Sequence, residues 1–151
     1  MPIFQFMAER FTRRKFSKIN QVQEEALIDV LAAAKAIDGV LLDVERRELM
    51  EALEHFEWKG ALPMESYVEQ SVERATKLEP TAEALAAFFA DVSQRLEEDW
   101  LREEAYYLGS KVALADDEVQ EEERLLLKAM VEAFDIPSKR QQLIIRKIRQ
   151  E

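Results

Sequence analysis

The chain contains no cysteine, which excludes disulfides and thiolate metal sites and leaves a reducing compartment open to it. His55 is its single histidine, so a histidine-based catalytic triad or zinc cluster is out of reach. Three glycines and four prolines in 151 residues are few. A chain so poor in both favours helices joined by short connections over a β-sandwich. Its longest apolar runs are far too short to span a bilayer, and the N-terminus lacks the basic-then-apolar order of a signal peptide. The expected location is the cytoplasm.

Acidic charge dominates what is present. The net charge is −10, yet residues 1–20 and 138–151 each carry +4, leaving −18 on the residues between them. Such a body repels phosphates, so nucleic acid is excluded as its partner and cations are favoured. A length of 151 residues, 48% of them hydrophobic, suits one soluble domain with a sizeable core.

The chain is organised around one pattern that occurs twice. AAAKAIDGVLLDVE at 32–45 returns as SKVALADDEVQEEE at 110–123, at a fixed offset of 78. That offset pairs Asp38 with Asp116, Leu41 with Val119, Asp43 with Glu121 and Glu45 with Glu123. It continues through Arg46 with Arg124, Leu49 with Leu127 and Phe56 with Phe134. A register this long predicts two copies of a helix-loop-helix unit with carboxylates in each loop.

Helix signals fill the rest. Asn20 followed by Gln23 predicts an N-cap with its reciprocal partner. Leu27, Val30, Leu31 and Ala34 then form a stripe, Gly39 ends the helix through a left-handed cap, and Asp43 caps the next, from about Val44 to Glu57. A polar helix follows over Met64–Leu78, and Thr81 starts another through Leu96. The second unit opens at Glu97-Glu98-Asp99, and its partner helix runs from Glu122 to Phe134. The Pro137-Ser138 step begins a basic amphipathic last helix. No segment reads as a strand. The expectation is an all-α, single-domain bundle of seven or eight helices with two pseudo-symmetric halves.

Residues 1–20 form a basic amphipathic segment ahead of a helical domain at 21–151. Ile3, Phe4, Met7 and Phe11 share a face, with Arg10, Arg13 and Arg14 elsewhere. Two roles are open: closing the core while the bases meet the acidic body, or lying peripherally on an anionic surface such as the inner membrane through residues 3–18.

Carboxylates are hard ligands, suited to Ca²⁺, Mg²⁺ or Mn²⁺. Asp38, Asp43 and Glu45 in one loop and Asp116, Glu121 and Glu123 in the other are the candidate metal ligands. An EF-hand is excluded, because aligning Asp38-Gly39 with that loop's turn puts Ala34 and Ala36, and in the second copy Val112 and Leu114, at ligand positions. Helix capping is the competing role for the same acids. Gly109-Ser110-Lys111 lacks the strand-to-helix context of a phosphate loop. Paired carboxylates without a substrate-binding glycine loop or further catalytic groups argue against an enzyme.

The segments AAAKAIDGVLLDVERREL and SKVALADDEVQEEERLLL resemble the two signature segments of the tellurite-resistance TerB-like family, which includes the N-terminal region of DjlA-type co-chaperones. The resemblance covers roughly Val22–Ile148. It implies an all-helical fold of two pseudo-symmetric halves and divalent-metal binding by Asp38 and Glu45 in one half and Asp116 and Glu123 in the other, with Asp43 and Glu121 as further candidates. Asp117 departs from the family pattern, which has glycine there. The expected role is that of a non-enzymatic module in a stress-response system, acting on a protein partner. The alternative is a docking or membrane-proximal scaffold that uses the basic N-terminal helix, with the acids serving only as caps.

Overall fold

The computed structural model describes residues 4–115 and 118–150, with the side chains of Gln5 and Asp38 excepted. Ile3, Asp116 and Asp117 therefore lie outside the described residues. Among those described are eight α-helices, one 3-10 helix and no strand. They run α1 (Gln5–Phe11), a 3-10 turn (Arg14–Lys18), α2 (Gln21–Asp38), α3 (Asp43–Leu53), α4 (Met64–Thr76), α5 (Ala82–Leu96), α6 (Asp99–Ala113), α7 (Glu121–Phe134) and α8 (Ser138–Gln150). The all-α bundle expected from composition is what forms.

Local signals set most boundaries. Asn20 Oδ1 accepts from Gln23 N–H at 2.9 Å while Gln23 Oε1 accepts from Asn20 N–H at 2.8 Å, the reciprocal box that starts α2. Thr81 Oγ1 accepts from Ala84 N–H to start α5. Two expectations need correction. Gly39 does not take the left-handed helical conformation but φ 147°, ψ −160°, a region open essentially only to glycine. Asp43 is not the cap of α3 either. Leu42 holds that position, Asp43 is the first helical residue, and α3 stops at Leu53, short of Glu57.

Helix α2 is the central element, packing against α4, α5, α6 and α7. Its face explains why: Leu27, Ile28, Val30, Leu31, Ala33 and Ala34 are all buried, and the small residues let neighbours approach. Gly109 does the same from α6. A Cβ there would lie 3.0 Å from both Val30 Cγ1 and Met130 Sδ, so this glycine is what allows α2, α6 and α7 to meet. Around that centre, α1 packs on α3 and α5 on α7, while α2 packs on α4 and α6 on α8.

The apolar stripe of α1 faces inward. Phe4, Met7 and Phe11 are buried in the common core, joined by Phe16 of the 3-10 turn. Arg10 is buried too, with Nε and Nη2 donating to the two oxygens of Glu104 on α6 at 2.5 and 2.7 Å and its guanidinium 4.1 Å above the Tyr107 ring. The lipid-facing role would need this stripe; the structure gives it to the core and leaves Arg13, Arg14, Lys15 and Lys18 exposed. No helix among the described residues is long and apolar enough to cross a membrane.

Candidate functional site

Each acidic loop sits between the C-terminus of one helix and the N-terminus of the next. Loop 39–42 joins α2 to α3, and loop 114–120 joins α6 to α7. The second is longer because α6 stops at Ala113, whereas α2 continues to Asp38, the partner of Asp116 in the repeat.

Glu45 and Glu123 hold equivalent places. Each is the third residue of its helix and turns back over the loop before it. Glu45 Oε1 accepts from Leu42 N–H at 3.0 Å, and Glu123 Oε1 accepts from Gln120 N–H at 2.9 Å. A carboxylate there satisfies a backbone donor left open at the helix start and lies at the favourable end of the helix dipole. Glu45 is 8% exposed and Glu123 only 2%.

Their second oxygens differ. Glu45 Oε2 lies 3.2 Å from Lys35 Nζ, an ion pair buried on both sides. Lys35 comes from the last turn of α2, so the pair closes the first loop like a clasp. The repeat offset places Ala113 where Lys35 would recur. Among the described residues, the buried Glu123 Oε2 has no hydrogen-bond partner. An unmatched charged oxygen in that setting costs on the order of 1–3 kcal/mol unless something comes to meet it.

The other candidates are less enclosed. Asp43 and Glu121 are exposed. Asp116 and the side chain of Asp38, the leading acid of each loop, lie outside the description. No three acidic or histidine side chains among the described residues converge into a group that could hold a metal. Leu41 packs against the core, half-buried.

Two acidic sites emerge that sequence patterns do not point to. Asp29 in mid-α2 is buried and accepts from Ser71 Oγ at 2.6 Å, Arg95 Nη2 at 2.7 Å, Arg74 Nη2 at 3.1 Å and Tyr67 Oη at 3.1 Å. It ties α2 to α4 and α5. Burial, with Asp29 adding to it, pushes the Tyr67 hydroxyl up to about 12. Glu24, near the start of α2, is 3% exposed and its Oε2 has no partner. Burial pushes its carboxyl up to about 7, helped by Glu57 and Glu25 and opposed by Lys59. The only hint of the Asp29 hub is an acid inside the apolar run Leu27-Ile28-Asp29-Val30.

Compared with known proteins, the chain matches no family model, no curated protein and no solved structure.

His55 is exposed, and Tyr106 and Tyr107 are packing residues on α6. Gly109-Ser110-Lys111 lies inside α6, where no phosphate cradle can form.

Proposed function

We propose that this chain is a TerB-like helical module that binds a divalent cation at its second acidic loop and acts through interactions in a stress-response system of the tellurite-resistance kind, without catalysing a reaction. The observation that carries this reading is the buried, unpartnered Oε2 of Glu123. A hard cation is a fitting partner for such an oxygen, and Ca²⁺, Mg²⁺ or Mn²⁺ fit a carboxylate set without sulfur or imidazole. Glu121, in the same helix turn, and Asp116, in the same loop by sequence, are the accompanying candidates. The Lys35–Glu45 ion pair already provides the buried carboxylate of the first loop with a cationic partner, so Glu45 has less need of a metal ion than Glu123. The two halves, on this account, arose by doubling and then diverged, Lys35 of the first standing where the second has Ala113.

Thermal unfolding with and without millimolar Ca²⁺ or Mn²⁺ tests the reading. The melting temperature rises in the native protein, stays put in Glu123→Gln, and still rises in Glu45→Gln. No rise in the native protein removes the cation claim.

A second reading treats the acids as caps alone and the exposed bases after α1 as a docking surface. The Leu42 and Gln120 amide bonds favour the capping half of it. Co-sedimentation with anionic vesicles, repeated with Arg13, Arg14, Lys15 and Lys18 changed to Gln, separates the two; equal sedimentation of both proteins ends the membrane version.

A further inference from the structure

A cavity of about 350 Å³ opens beside the first loop, between α2, α3 and α4. Its walls are mainly apolar, built by Phe4, Leu31, Leu41, Leu49 and Val72. Val40 stands at its mouth and is 81% exposed. Lys35 and Arg46 also line it, and they are in different situations. Lys35 is held by Glu45. Arg46 Nη1 is buried and donates to no acceptor; the Glu69 carboxylate stands 3.9 Å away, beyond hydrogen-bond reach, on a side chain that is 60% exposed.

A guanidinium N–H that is buried and unmet has lost water without replacing it, and an incoming acceptor would restore the bond in a charge-assisted form. A planar carboxylate matches that donor geometry. The surrounding walls require the remainder of the ligand to be apolar. One open cationic donor suits a monoanion better than a phosphate dianion. At roughly 30 Å³ per non-hydrogen atom, the space holds about a dozen of them, the size of a medium-chain carboxylate. We propose that the cavity beside the first loop is a binding site for a small apolar-tailed monocarboxylate, with Arg46 as the residue that receives the carboxylate. Arg124, which matches Arg46 in the second half, is exposed, so the site belongs to the first half alone. It is independent of the cation reading.

Sodium octanoate below its micelle concentration is the probe, followed by calorimetry and by methyl shifts in nuclear magnetic resonance spectra. The native protein binds it saturably, with shifts at Leu31, Leu49 and Val72, and binds octanol about tenfold or more weaker, the worth of one charge-assisted hydrogen bond. Arg46→Leu melts no lower than the native protein, because it removes an unmet donor, and loses octanoate binding by about the same factor. Ala36→Phe, which fills the cavity from α2, blocks octanoate and octanol together. The proposal is overturned if native protein shows no saturable binding, if Arg46→Leu binds octanoate as well as the native protein does, or if the shifts lie away from the cavity.

Discussion

Glu45 and Glu123 make the same backbone bond from the same helical position, yet Glu45 Oε2 meets Lys35 Nζ at 3.2 Å while Glu123 Oε2 has no hydrogen-bond partner among the described residues. Their replacement by glutamine therefore has opposite consequences in the absence of added cations. Glu45→Gln keeps the bond to Leu42 N–H but takes away the anion beside a buried ammonium, and costs about 1–3 kcal/mol. Glu123→Gln keeps the bond to Gln120 N–H and removes an uncompensated charge, so stability holds or rises. Urea unfolding of the two variants measures both; equal destabilisation contradicts the asymmetry.

Asp29 ties α2 to Tyr67, Ser71 and Arg74 of α4 and to Arg95 of α5. Asp29→Asn leaves Arg95 and Arg74 facing a neutral amide. Losing one side of such a buried pair costs about 3–5 kcal/mol, reduced here because Arg74 is half-exposed. Chemical denaturation reads the loss directly. A change within the noise of a surface substitution would mean that the arginines carry no net energy.

Glu24 gives stability a pH dependence of known sign. Its carboxyl titrates near 4.5 when unfolded and about 7 when folded, so the folded state holds a proton that the unfolded state has released. Its contribution is full below pH 4.5 and declines as pH rises through about 7. Between pH 4.5 and 7, at about 1.4 kcal/mol per pH unit, the loss is at most about 3.5 kcal/mol. Glu24→Gln flattens this slope between pH 5 and 8 and is the more stable protein at pH 8. An unchanged slope in that variant assigns the dependence elsewhere.

Glycine is required at two positions for different reasons. Gly109→Ala drives a Cβ to 3.0 Å from Val30, a stiff β-branched neighbour, and from Met130, and costs about 1–3 kcal/mol through overpacking. Gly39→Ala meets no atom within 4 Å but must hold a φ of 147°, a backbone strain of order 1–3 kcal/mol. Thermal unfolding distinguishes neutral from costly in both.

How legible these features were depends on their range. The Asn20–Gln23 box and the Thr81 start are settled within four residues, and their sequence signals are realised. Asp43 misled because acids are good caps, yet the cap position went to Leu42 once Glu45 supplied the acceptor from inside the helix. The inward face of α1 follows from its periodicity, but the buried Arg10–Glu104 pair spans 94 residues and no local pattern announces it. Asp29 likewise depends on where α4 and α5 land. The vacancy at Glu123 was readable in principle. It needs only the observation that the repeat sets Ala113 against Lys35, a substitution outside the acidic motif itself.

Paramagnetic broadening by Mn²⁺ in amide nuclear magnetic resonance spectra tests the cation site most directly, since it reports place as well as binding. Substoichiometric Mn²⁺ should bleach the signals of Gln120–Glu123 in the native protein, spare Leu42–Glu45, and leave Glu123→Gln unaffected. Equal bleaching of both loops, or the same bleaching in Glu123→Gln, would contradict the account.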